Sequence, residues 1–406
     1  MKTIFIKSII AIFAACIIIV SCKKETPLAQ PQKDVPNNYP NDGAIVLSDN
    51  IITDTVLKNH KNGVDYRIAS CIQVSRGSKI TIESGVSIEV MPGMCIELYD
   101  STSFTVTGTM ASPVTISGLV KSKGSWRGIF MNGNLCSVNM QFASVQFAGN
   151  DWRQFNSSAI NAYRGSITLN NCEFGNNLSY CIWLSNDVSI GGIHNNKFLN
   201  NDAEPIMIDF RKCDQLSNDN TFTGNVLNGV LIKTAPKEFC NNDLNIPKLN
   251  VPYYADSTFN TRKAIVIQPG TWMIMKKLSI FNVDNSQGTG ASFTANGTAQ
   301  QSITLEGAEQ KKGYWSGIQM KSANASFEYC NLISAGLVNN YVSINPYAVI
   351  ISEGPGADTL NVKNCTLLNG PEWAIAIDTP AVNYNLDIET INFFDTTFKN
   401  GNVIWF

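Results

Sequence analysis

Trp183, Met207 and Leu231 stand 24 residues apart, and Ser185, Asp209 and Lys233 follow them at the same interval. Asp187 and Arg211 keep that spacing two residues further on. If side chains alternate along a strand and Leu184, Ile208 and Ile232 point inward, these residues form an outward column. An apolar, aromatic platform beside opposite charges suits the stacking of a sugar ring, with hydrogen bonds to its hydroxyls or carboxylate. Trp183, Asp187, Met207, Asp209, Arg211 and Lys233 are therefore the candidate ligand-binding residues. The same spacing also has a structural account. Asp209 would pair with Lys233 and Asp187 with Arg211 across strands, each pair worth less than ~1 kcal/mol, while a loop covers the apolar column.

Residues that could do covalent chemistry are sparse. The chain has two histidines, His60 and His194, 134 residues apart and without a serine or cysteine nucleophile motif, so each is expected to be a loop residue and not part of a triad. No Cys-x-x-Cys, His-Glu-x-x-His or acidic calcium loop is present. No catalytic residue, metal site or cofactor is predicted. With Cys16 and Cys22 set aside, nine cysteines remain: Cys71, Cys95, Cys136, Cys172, Cys181, Cys213, Cys240, Cys330 and Cys365. The number is odd, so at least one thiol stays free unless it pairs with another chain. Cys213 and Cys240 are one possible disulfide, and spacing alone assigns none.

The N-terminus carries a different chemistry. Lys2 and Lys7 precede the unbroken apolar run Ile9–Val20, which is shorter than the ~20 residues needed to span a bilayer and reads as a secretion signal. It ends in Ile19-Val20-Ser21-Cys22, which resembles the bacterial lipobox, in which the cysteine is diacylated and becomes the new N-terminus. The resemblance implies lipidation at Cys22 and membrane attachment through the acyl chains, at ~0.8 kcal/mol per buried methylene. The opening Cys22-Lys23-Lys24-Glu25 is similar to lipoproteins of the Bacteroidetes phylum, a resemblance that implies an outer-membrane lipoprotein on the periplasmic or cell-surface face. Residues up to 42, with Pro27, Pro31, Pro36 and Pro40, read as a flexible tether.

What must position the candidate residues is a stack of short strands. The chain has 44% hydrophobic and 15% charged residues, a folded composition. Removal of residues 1–21 takes two lysines, leaving 28 basic and 32 acidic residues, a balance that does not suit nucleic acid. From residue 60 the sequence shows short runs of Val, Ile, Thr and Phe broken by Gly, Asn and Ser. Ile160, Leu184, Ile208 and Ile232 recur every 24 residues, as do Phe174, Phe198 and Phe222, and Ile82, Val106 and Phe130. The apolar alternations within each period are too short for helical repeats. Three strands per coil, with coils ~4.8 Å apart, place like side chains above one another. The 30-residue step from Phe130 to Ile160 implies a loop around residues 150–155. Asn-rich turns such as Asn176-Asn177 and Asn200-Asn201 fit, because Asn tolerates left-handed bends and its amides can stack.

A longer repeat overlies the short one. Gly124-Ser125-Trp126-Arg127-Gly128-Ile129 returns as Gly313-Tyr314-Trp315-Ser316-Gly317-Ile318, and Asn171-Cys172 as Asn364-Cys365. In the second copy Ile267, Ala295, Met320, Val349, Ile377 and Trp405 suggest a ladder of slightly longer coils. The fold class is thus all-β, an internally duplicated parallel β-helix solenoid. It divides into a signal peptide (1–21), a lipidated N-terminus and tether (22–59), a first half (60–235), a linker (236–262) and a second half (263–406). Coaxial stacking of the halves is preferred, because each free end would expose a strand edge.

The run Ile80-Thr81-Ile82-Glu83-Ser84-Gly85, then Val106-Thr107-Gly108-Thr109, Pro113-Val114-Thr115-Ile116 and the Gly-x-Trp-x-Gly-Ile motif resembles right-handed parallel β-helix proteins of the pectate-lyase-like superfamily on bacterial surfaces. The resemblance implies the fold but no activity, since the same coil serves lyases, hydrolases and adhesins. Two classes of function stay open. One is a non-catalytic envelope lipoprotein that binds a polysaccharide or a surface protein, or is structural. The other is a carbohydrate-active enzyme, a lyase or hydrolase, which needs converging acids or a Lys/Arg pair in a groove.

Overall fold

The computed structural model describes residues 40–60, 63–150, 157–235, 237–336, 348–354, 358–370, 372–377, 382–386 and 401–405. The segments expected as signal peptide and as most of the tether, with Cys22, lie outside them, as does the loop expected at 151–155. Asn41 to Phe406 form one compact unit. It is a right-handed parallel β-helix: every strand pair in its sheets is parallel, and the partner of each strand lies in the neighbouring coil, three strands away along most of the chain.

Each coil contributes one strand to each of three faces. The first face is a continuous sheet of twelve strands, from Ile72–Val74 to Thr366–Leu368, which runs through both halves. The halves therefore share one sheet and stack coaxially. The other two faces are interrupted where the halves meet. The second face consists of a six-stranded and then a seven-stranded sheet, and the third of an eight-stranded and then a six-stranded one. At the break, the second-face strand that should follow Ile206–Asp209 is replaced by a short 3-10 helix, Phe210–Gln215. Residues 236–262, expected as a linker, instead carry the strands Phe239–Cys240, Leu244–Ile246, Tyr253–Ala255 and Thr258–Thr261, so the winding continues through them. Short apolar alternations such as Leu244-Asn245-Ile246 form strands there despite the flanking prolines. Residues 45–57, assigned to the tether, already belong to the solenoid through Ile45–Leu47 and Thr55–Leu57.

The interior is built from ladders. Phe174, Phe198 and Phe222 are register partners with ring centroids 5.5 and 5.0 Å apart, as their spacing predicts. Leu184, Ile208 and Ile232 also form a ladder, but its upper neighbour is Ala162, not Ile160. The coil between Ile160 and its true partner Ile182 is two residues short, so an interval of 24 passes to the next inward position. Phe130 leaves its predicted ladder for a related reason. Ile82 and Val106 lie in the second face and continue to Met140, whereas Phe130 lies on the outer side of the first face. In the second half Ile267 and Ala295 pair in the third face, while Met320 continues through Ser352, not Val349, to Ile377 and Trp405 in the second. Turn lengths vary, and residue counting cannot tell which face a strand has reached.

The duplication is real at the level of conformation and is displaced in space. Trp126 and Trp315 are fully buried, and each indole N–H donates to a backbone carbonyl, Gln146 or Ile333, at 2.8 Å. Asn171 and Asn364 both adopt left-handed backbone at φ 56° and 52°. Yet Gly128–Met131 belongs to the first face and Gly317–Lys321 to the second. Between them lie seven coils and one further strand, so the second copy is advanced along the axis and turned by one face.

Asparagine turns divide their labour. Asn176, Asn195 and Asn200 take the left-handed bend. The residue after each, Asn177, Asn196 or Asn201, is fully buried and stacks. Asn177 Nδ2 donates to Asn201 Oδ1 at 3.0 Å, Asn201 Nδ2 to Asn225 Oδ1 at 2.8 Å, and Asn196 Nδ2 to Asn220 Oδ1 at 3.1 Å. Cys172 takes the corresponding slot above Asn196, and its backbone N–H donates to Asn196 Oδ1 at 2.9 Å. Burial pushes the Cys172 thiol up to about 11, consistent with an inert packing role.

Candidate functional site

The break in the second face shapes a cleft. Where the 3-10 helix stands in place of a strand, the segments that leave four successive first-face strands line an opening of about 420 Å³. All six candidate residues line it: Trp183, Asp187, Met207, Asp209, Arg211 and Lys233. The outward column is as predicted, with Trp183 paired to Met207 and Met207 to Leu231. Leu231 itself is 1% exposed and lies outside the cleft lining.

Tyr163 also lines the cleft and was not among the candidates. Its ring stacks on Trp183 with centroids 6.1 Å apart and planes 14° from parallel. Trp183 is only 8% exposed and Tyr163 is 45% exposed, so Tyr163 offers most of the accessible aromatic surface. Arg164 lies over the Tyr163 ring at 5.1 Å. The two-residue shortening that misplaced Ile160 is what aligns Tyr163 with Ser185, one step beyond the Ala162–Leu184 pair. The Trp183 indole N–H is buried and has no hydrogen-bond partner among the described residues.

The ion pairs differ from those expected. Asp209 and Lys233 are register partners, but the Asp209 carboxylate turns to Arg211, receiving Nε at 2.7 Å and Nη2 at 2.9 Å. It also accepts from the Arg211 backbone N–H at 3.0 Å and so caps the 3-10 helix. Two residues along a helical turn, these groups form a bidentate fork that a cross-strand lysine cannot match. Arg211 makes a second ion pair with Glu238, another lining residue not foreseen. These contacts hold its guanidinium above the usual arginine range, Asp209 contributing most. Lys233 pairs with Asp256 at 3.3 Å. Asp187 makes no ion pair with Arg211. Its backbone N–H donates to the Ser185 hydroxyl at 3.0 Å, and its carboxylate is exposed and has no ion pair among the described residues.

Among the described residues, both cations of the cleft are thus already balanced by carboxylates, and the uncommitted charge is that of Asp187. A second hollow of about 400 Å³ lies beside Met110, Phe142, Glu173 and Lys197, with the last two aligned across strands. The histidines line neither opening: His60 Nε2 meets the Tyr66 hydroxyl at 2.8 Å, and His194, which ends the strand Val188–His194 and is not a loop residue, meets Asp219 through Nδ1 at 2.9 Å. Asp378, near the second-half counterpart of Ser185, lies outside the described residues.

The cysteines divide differently from the suggested pairing. Cys71 and Cys95 form a disulfide between adjacent coils, whereas Cys213 and Cys240 are free and buried. The Cys240 thiol instead donates to the Asn242 carbonyl at 3.2 Å.

A family model described as right handed beta helix region matches residues 70–244, a stretch that contains the whole cleft lining. Searches of curated proteins and of solved structures gave no significant match.

Proposed function

We propose that this chain is a non-catalytic cell-envelope lipoprotein, acylated at Cys22 and held at the outer membrane, that binds a polysaccharide in the cleft at the break of the second face. The observation that carries the reading is the meeting of an accessible tyrosine, stacked on Trp183, with polar groups whose ion pairs fix their positions. Tyrosine gives a rigid apolar face for a pyranose ring, and Asp187 a carboxylate able to accept two hydroxyl hydrogen bonds. Asp209 and Glu238 are both held by Arg211. This favours recognition over hydrolysis, where one carboxyl must deliver a proton and another attack or activate water.

Binding is tested by calorimetry against a panel of neutral and acidic polysaccharides, with reducing-end and unsaturated-product assays on the same samples. Saturable binding without product is the expected result. Tyr163→Ala and Asp187→Ala should each weaken binding by about tenfold, the scale of one lost stacking or charged hydrogen-bond contact. A panel with no ligand would remove the glycan reading, and product formation that requires Asp209 would replace it with an enzymatic one. Lipidation is checked separately: Cys22→Ala should abolish metabolic labelling by a fatty-acid analogue.

A further inference from the structure

The Cys71–Cys95 disulfide sits at one end of the long first-face sheet. It joins the first two of the twelve strands, bridging the residue just before Ile72–Val74 to the first residue of Cys95–Leu98. The last two strands are Cys330–Ile333 and Thr366–Leu368. Their register pairs Asn331 with Thr366, which sets Cys330 opposite Cys365 in the adjacent coil. This is the relation that Cys71 has to Cys95, where Ile72 pairs with Ile96.

Both thiols are buried, Cys330 at 1% and Cys365 at 0% exposure, and each perturbs the other, raising Cys330 above the usual thiol range and lowering Cys365 below it. Neighbouring strands lie ~4.8 Å apart, inside the ~4.4–6.8 Å range of Cα separations that a disulfide spans. The Cys71–Cys95 Cα atoms are 4.5 Å apart in the same setting.

We infer that Cys330 and Cys365 form a second inter-coil disulfide in the mature protein, so that both ends of the long sheet are covalently clamped. The reaction needs a disulfide oxidant, either a thiol–disulfide oxidoreductase or a glutathione disulfide. One thiolate attacks the oxidant, breaking its S–S bond and forming a mixed disulfide. The second thiolate then attacks the protein sulfur of that mixed bond. The oxidant leaves as two thiols, which carry the two protons and two electrons. Burial in the finished coil bars an oxidant from entering, so the bond forms while the last coils are still winding.

The clamp has a physical use. Terminal coils of a solenoid have a neighbour on one side only and are where such a stack opens first. A cross-link between the last two coils of the long sheet limits that opening.

The test starts from full-length protein unfolded in reductant, refolded in a glutathione redox buffer, alkylated and digested without reduction. The expected digest contains a Cys330–Cys365 linked peptide together with the Cys71–Cys95 peptide, and alkylated Cys136, Cys172, Cys181, Cys213 and Cys240. Recovery of Cys330 and Cys365 as alkylated thiols, or in other pairings, overturns the inference, whether or not Cys71–Cys95 is recovered. A second measurement uses Cys330→Ala, a change the fold already accepts at the matching first-half position, Ala143. In the oxidised native protein, reductant should speed amide exchange in strands Cys330–Ile333 and Thr366–Leu368 by about tenfold or more, the scale expected of a lost cross-link. In Cys330→Ala it should have no such effect. Equal responses in the two proteins, or none in the native one, also overturn it.

Discussion

Asp209 illustrates how one side chain can be placed correctly and assigned the wrong partner. Its carboxylate caps the 3-10 helix and grips Arg211, whose side chain is 17% exposed. Asp209→Ala removes a cap and leaves a largely buried guanidinium with fewer acceptors, so unfolding in urea should show a loss of about 1–3 kcal/mol. Loss of ligand binding in that variant would therefore mix stability with recognition, whereas Tyr163 and Asp187 are accessible enough to report on recognition alone. Arg67 poses a comparable case at the N-terminal end. Buried at 1% exposure, it pairs with Asp42 at 2.8 Å and Glu89 at 3.0 Å. Its hydrogen bond to Asp42 lowers that carboxyl from the usual 3.8 to about 2. A carboxyl depressed in the folded state stabilises fully above its unfolded value, and that contribution fades as pH falls from about 4 toward 2. Exchange protection of Ile45–Leu47 should fall through this window, and Asp42→Asn should remove the pH-dependent part. The six cleft residues could be read from the sequence because a constant interval of 24 holds from Trp183 to Lys233. Tyr163 and Glu238 escaped because the first sits in a coil two residues shorter and the second enters through an ion pair to Arg211, which no spacing encodes.

Among the elements, the asparagine turns show where pattern gives way to geometry. The sequence reveals Asn pairs at several bends, and the structure separates a bending residue from a stacking one. Asn201→Ala interrupts a buried amide ladder, stranding the Asn177 side-chain and backbone donors, and should cost about 2–4 kcal/mol. Asn200→Ala keeps the ladder and strains only a left-handed bend, at about 1 kcal/mol. Thermal or urea unfolding of the two variants should rank them in that order. A reversed order would mean that bending, not stacking, holds these turns. The strands themselves were legible as short apolar alternations, but their assignment to faces was not. Equal spacing led from Val106 to Phe130 across a corner of the coil, since the length of each turn is set by packing that a residue count does not record.

At the scale of the whole molecule, the junction between the halves rests on one continuous sheet and on a core to which Phe210 belongs with Cys213, Leu244, Ile246 and Tyr253. Phe210, supplied by the 3-10 helix, packs on Phe259 at 4.7 Å and continues to Phe281, Phe293 and Phe327. It is 1% exposed and fills the core where two of the three faces are interrupted. Phe210→Ala should destabilise the protein by about 3–5 kcal/mol. Because it opens a cavity at the junction, urea unfolding should also change from one transition to two, as each half loses its neighbour's support. A single, merely shifted transition would show that the long sheet couples the halves unaided.

Doubling a solenoid by whole coils would give two like surfaces facing the same way, as in a comb. Here seven coils at ~4.8 Å put each corresponding patch ~34 Å along the rod, and the spare strand turns it around the corner. A straight polymer lying on one copy therefore cannot meet the other without bending round the shaft, so ancestry has left this protein with two related sequences and no shared outlook.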